Sequence, residues 1–144
     1  MKIIRKHEVA RFQAPAMVFT GEVWVDPVVE AEAPGRTGAA FVSFTPGART
    51  FWHAHPFGQI LNVSSGRGFV QWRDGPAHVI EEGDSVWIGP DEIHAHGAAP
   101  DSAMCHLAIT ERGPDGGATF FGPVTDEQYA RPFGGLRTSA ASSS

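Results

Sequence analysis

The stretch His53-Ala54-His55-Pro56-Phe57-Gly58-Gln59 decides how this chain is read. In extended backbone, side chains alternate between faces, so His53 and His55 point the same way, a few ångströms apart. Gln59 shares their parity across the intervening Pro-Phe-Gly turn. A second H-x-H, His94-Ala95-His96, offers His94 as a fourth donor from another strand. Three imidazoles and a carboxamide oxygen converging on one point would hold a divalent transition metal.

Five of the seven histidines (His53, His55, His94, His96 and His106) fall in three strand-like runs. The plainer reading makes each a structural residue. That reading leaves several buried polar rings, each needing its own partner. One cation satisfies them together. His96 shares parity with His94, and His106 faces the same space from a neighbouring run. Neither is needed as a ligand, so both are candidates for general acid and base.

Outside these runs the chain reads as all-β. At 144 residues it is one domain, able to bury roughly two thirds of its unfolded surface. Its 17 glycines and 11 prolines separate short runs of β-branched and aromatic residues. Strands are expected over residues 21–29, broken at Asp26-Pro27, and over 39–44, 50–55 and 59–63. Others are expected over 68–72, 77–80, 85–88, 94–96 and 104–110. Ser64-Ser65-Gly66 reads as a turn between two of them, and Asp74-Gly75 as a hairpin. Thr125-Asp126-Glu127-Gln128 is a capping box that opens a short helix ending near Arg131-Pro132. Residues 1–20 form an arm across a single domain at 1–132, and 133–144, rich in Gly, Ser and Ala, a disordered tail. Eight to ten short strands argue an antiparallel sandwich or barrel.

The net charge of -5, with no basic cluster beyond Lys2, Arg5 and Lys6, argues against nucleic acid as a partner. The single cysteine, Cys105, cannot form an internal disulfide and is compatible with a cytoplasmic location. Neither a signal peptide nor a membrane span is expected.

The spacing resembles the cupin superfamily, small jelly-roll barrels (double-stranded β-helices) with a metal in the mouth. Its first motif, G-x5-H-x-H-x3-E-x6-G, corresponds to Gly47, His53, His55, Gln59 and Gly66, with Gln59 where most cupins carry Glu. The second motif keeps the separation of Gly83 from His94, with Pro90 one place late and Ala98 in place of Asn. A closer resemblance is to the bacterial cupin hydroxynitrile lyases. It rests on Pro46 to Gln59 (PGARTFWHAHPFGQ), Glu92 to Pro100, Ala103 to Arg112 and Val124 to Tyr129. It implies one divalent metal, Mn²⁺ first with Fe²⁺, Zn²⁺ or Ni²⁺ as alternatives, and cleavage or formation of cyanohydrins such as mandelonitrile. It also implies a homo-oligomer, dimer or tetramer. Thr110 departs from the Gln expected there. The expected substrate pocket is Ala40, Val42, Phe44, Leu61, Met104, Ala108 and Thr110. Two other readings suit the same ligands: a cupin dioxygenase, and a non-catalytic binder of small anions.

Overall fold

The protein is described by a computed structural model over residues 1–134. Its strands are, in chain order, β1 (Phe12–Gln13), β2 (Phe19–Thr20), β3 (Val23–Glu30), β4 (Thr37–Phe44), β5 (Arg49–Thr50) and β6 (His53–Ala54). They continue with β7 (Gln59–Trp72), β8 (Ala77–Glu81), β9 (Ser85–Ile88), β10 (His94–Ala98), β11 (Met104–Glu111) and β12 (Thr119–Phe120). One short helix, α1 (Asp126–Ala130), follows. All the strand pairings are antiparallel, and the curled sheet is a jelly-roll barrel.

Strand β7 ties the barrel together. Its first half runs between β11 and β9, in a sheet continued by β4, β3 and β1. Its second half runs between β10 and β8, and β10 carries β5 and β6 on its other edge. The expected turn at Ser64-Ser65-Gly66 is therefore a bend inside one 14-residue strand. His106 pairs with Val63 but Cys105 with Ser65, so Ser64 is an extra, unpaired residue. Such a bulge bends a strand without ending its ladder, and a propensity reading cannot tell it from a turn. Gly66 sits at the bend with φ +77°, where a Cβ would collide with the carbonyl oxygen of Ala103.

The run 50–55, expected as one strand, is split. β5 pairs with β2 and β10, and β6 pairs with β10 and β12. Between them Phe51 N–H donates to Val18 O and Trp52 N–H to Gly122 O, both at 2.9 Å. The break at Asp26-Pro27 appears as a register shift between Pro27 and Val29 within a single strand.

The interior follows from period-two alternation. Val23, Phe44, Leu61, Val63, Val70, Ile88 and Met104 are fully buried and pack together. A second cluster of Trp52, Phe69, Ala95 and Val124 lies under α1. The capping box forms as read: Thr125 Oγ1 accepts from Gln128 N–H at 3.1 Å, and Thr125 N–H donates to Gln128 Oε1 at 2.9 Å. Tyr129 O–H donates to Ala98 O at 2.7 Å, and buried Arg49 pairs with Asp126 at 2.9 Å, so the helix is tied to the barrel end. Phe133, expected to open the tail, packs on Tyr129 and Phe69 with ring centroids 5.4 and 5.9 Å away. Residues 135–144 of the expected tail lie outside the described residues.

The arm pairs with the barrel through β1 and β2, and its Ile4 and Val9 line a hollow with Phe41 and Cys105. Among the described residues, no helix is long and apolar enough to cross a membrane.

Candidate metal centre

The strand register brings the two H-x-H runs face to face. His53 on β6 is the direct cross-strand partner of His94 on β10. Their rings lie 4.2 Å apart, centroid to centroid. His55 follows β6 at the turn that Gly58 N–H closes by donating to His55 O at 3.3 Å. Its ring centroid is 5.0 Å from that of His53 and 5.6 Å from that of His94. His96, two residues along β10, is 5.2 Å from His53. Ring nitrogens of His53, His94 and His96, all buried, lie within 4.8 Å of one another and could hold a metal ion. By spacing, His55 belongs in that company and His96 does not. The geometry gathers all four rings, His55 and His96 standing at similar centroid distances from His53 and His94.

The hydrogen bonds of these rings differ in kind. His53 Nδ1–H donates to Phe51 O at 2.9 Å and His94 Nδ1–H to Glu92 O at 2.8 Å. His55 Nδ1–H donates to Gly117 O at 2.5 Å. Each therefore carries its lone pair on Nε2, the tautomer that a ligand needs. His96 Nδ1 instead faces His106 Nε2 at 3.0 Å. Gln59, the first residue of β7, donates through Nε2 to Thr110 Oγ1 at 2.9 Å.

Buried polar atoms without partners mark where a ligand belongs. The unpartnered atoms include His55 Nε2, Gln59 Oε1, His94 Nε2 and His96 Nε2. Four inward-facing acceptors and ring nitrogens clustered in one place fit a cation.

Burial sets the charge state. It holds His94 and His106 down at about 4, from an ordinary 6.5, because desolvation penalises the imidazolium. Burial also holds His53 and His96 well below 6.5, followed by repulsion from the neighbouring rings. His55 is lowered too, against the opposing pull of Gly117 O and Gln59. At neutral pH the cluster is uncharged. Glu92, beside His94, is kept below the usual carboxylate range by the Trp72 indole N–H and the Gly89 N–H.

A cleft of about 480 Å³ opens beside His55. Ala40, Ala108 and Thr110, three residues of the expected pocket, line it, with Phe12, Val25 and Arg112. The other four lie elsewhere. Phe44, Leu61 and Met104 are fully buried in the core, and Val42 packs partly buried against it. Phe44 forms part of the floor under the histidines, its ring 5.9 Å from His96 and 5.4 Å from His106. Parity predicted the inward face but not its depth. Three further contacts had no sequence signal: that of the Gly117 carbonyl with His55, that of Thr110, expected only as a pocket residue, with Gln59, and that of Phe120 on β12, stacked 5.5 Å from His53. All three are contacts between distant segments.

A curled antiparallel jelly roll with a buried imidazole cluster beside an open cleft defines a class of small β-barrels that can hold a metal ion. The chain belongs to the cupin family, whose Cupin domain it matches over residues 40–110. It is 47% identical over 131 residues to an (R)-mandelonitrile lyase of Granulicella tundricola, covering 91% of this chain and all of that protein. A cupin-like protein of Thermotoga maritima superposes with a TM-score of 0.79 at 44% identity, over 83% of this chain and 91% of that one. The polyketide cyclase RemF of Streptomyces resistomycificus shares the fold, with a TM-score of 0.65 at 17% identity, over 90% of this chain and 91% of that one.

Proposed function

We propose that this protein is a metal-dependent hydroxynitrile lyase that cleaves and forms cyanohydrins such as mandelonitrile. The observation that carries the reading is the 47% identity to an (R)-mandelonitrile lyase along that protein's whole length. His53, His55, Gln59 and His94 are the residues we assign to the ion. The three histidines present Nε2 with Nδ1–H held by a backbone carbonyl, and Gln59 presents Oε1. With four neutral donors a divalent ion, Mn²⁺ in this reading, would keep its full charge and stabilise negative charge on an alkoxide or on cyanide.

His96 and His106 we assign to proton transfer. They are joined by the 3.0 Å bond between His96 Nδ1 and His106 Nε2. The outer nitrogens, His96 Nε2 and His106 Nδ1, are buried without partners. In a neutral pair so joined, one outer nitrogen must carry a proton and the other a lone pair. The pair thus offers an acid and a base together, whichever way the inner proton points. In cleavage the base takes the hydroxyl proton, the C–C bond to the nitrile carbon breaks, and the C–O bond becomes a carbonyl. The cyanide carries off the bonding electrons and receives a proton from the acid. Ala40 and Ala108 in the cleft give an apolar wall for the aldehyde's organic group.

Exposed Phe41, Ile60 and Trp87 on the outer sheet lead us to expect a dimer or tetramer, which light scattering would size. Cyanide release from racemic mandelonitrile tests the function. Release should stop on chelation, return with Mn²⁺, and continue without oxygen. Replacing His106 with Ala should leave metal content intact and cut turnover by about 100-fold or more. Oxygen-dependent turnover, or release that persists after stripping, would overturn the reading.

A further inference from the structure

We propose that Thr110 is a positioning residue that locks the Gln59 carboxamide with its oxygen toward the metal site. The inference rests on the ligand set proposed above and adds to it the group that makes a glutamine usable there. A carboxamide presents an acceptor at one end and a donor at the other. Only the oxygen can bind a cation, and a turned amide would place N–H groups against it. A buried glutamine whose oxygen faces a cation therefore needs an acceptor for the nitrogen on its other side.

The fold supplies one. Gln59 on β7 and Thr110 on β11 are direct cross-strand partners, so their side chains leave neighbouring points on one face. Gln59 Nε2 donates to Thr110 Oγ1 at 2.9 Å. Gln59 Oε1, the other end of that carboxamide, is buried and without a hydrogen-bond partner. On its other side Thr110 is paired with Gly38 of β4, which has no side chain to compete for the hydroxyl. Thr110 also lines the cleft. It thus links the substrate wall to the metal ligand.

A glutamate at position 59 would not need this lock, because either carboxylate oxygen can bind. That difference gives the test. Mn²⁺ is titrated into metal-free, full-length protein, with free Mn²⁺ counted by electron paramagnetic resonance. T110V keeps the shape and removes the hydroxyl, and should weaken Mn²⁺ binding about 10- to 100-fold, as loss of a group that orients a ligand does. T110S keeps the hydroxyl and should stay within about threefold of the wild type. In a Q59E background, T110V should cost less than about threefold, because orientation no longer matters. Should circular dichroism show T110V unfolded, T110A takes its place. Wild-type affinity in the variant that lacks the hydroxyl overturns the inference and leaves the ligand set standing. An equal penalty in the Q59E background also overturns it, since lost packing would act in both. Failure of the wild type to bind Mn²⁺ or any other divalent transition ion removes the ligand set, and this inference with it.

Discussion

Acidifying the metal-free protein should unfold it before most of its carboxylates are protonated. Burial holds five interior imidazoles below their ordinary 6.5, with His94 and His106 at about 4. The unfolded chain titrates these two near 6.5, so between pH 6.5 and 4 it takes up protons that the fold refuses. Their stabilising share is complete above pH 6.5 and disappears as pH falls toward 4. For one group displaced this far, the loss is about 2 kcal/mol at pH 5 and about 3 kcal/mol in full. His94 and His106 together remove about 4 kcal/mol at pH 5, and His53, His55 and His96 act in the same direction. Domains of this kind are stable by roughly 5–15 kcal/mol, so the loss is a large fraction of the whole. Urea denaturation with chelator present, followed by tryptophan fluorescence at pH 7.5, 6.5, 5.5 and 5.0, measures it. The midpoint should hold above pH 6.5 and drop steeply below. Replacing His106 with Asn should remove about 2 kcal/mol of the change between pH 7.5 and 5.0. A midpoint constant over that range would refute the claim that the rings are buried uncharged.

Three further outcomes are expected. H94A should lower bound metal from about one ion per chain to near zero by elemental analysis, because His94 is one of the four assigned ligands, with its ring 4.2 Å from that of His53. L61A empties a fully buried site and should cost about 2–5 kcal/mol in urea unfolding at pH 7.5. G66A puts a Cβ against the Ala103 carbonyl at positive φ and should cost about 2 kcal/mol or more in the same assay.

Sequence alone determined what rests on short-range physics. Alternation placed Phe44, Leu61 and Met104 on the inward face, where they are buried. The capping box fixed the start of α1, because its two bonds join residues three apart. The Asp74-Gly75 hairpin formed because its turn is chosen by the residues within it. The two H-x-H runs announced a convergence of imidazoles, and His53 and His94 do face each other. Tertiary structure decided everything that depends on which strand lies beside which, and in what register. It made one bulged strand of residues 59–72, where local preference reads a turn at Ser64 to Gly66. It drew His96 into the nitrogen cluster and gave it His106 as a partner. It set Gly117 O on His55, 62 residues away, and Thr110 on Gln59, 51 residues away. A period of two fixes the face on which a side chain emerges. It carries no information on the neighbour across the ladder, which only the closing of the whole barrel selects.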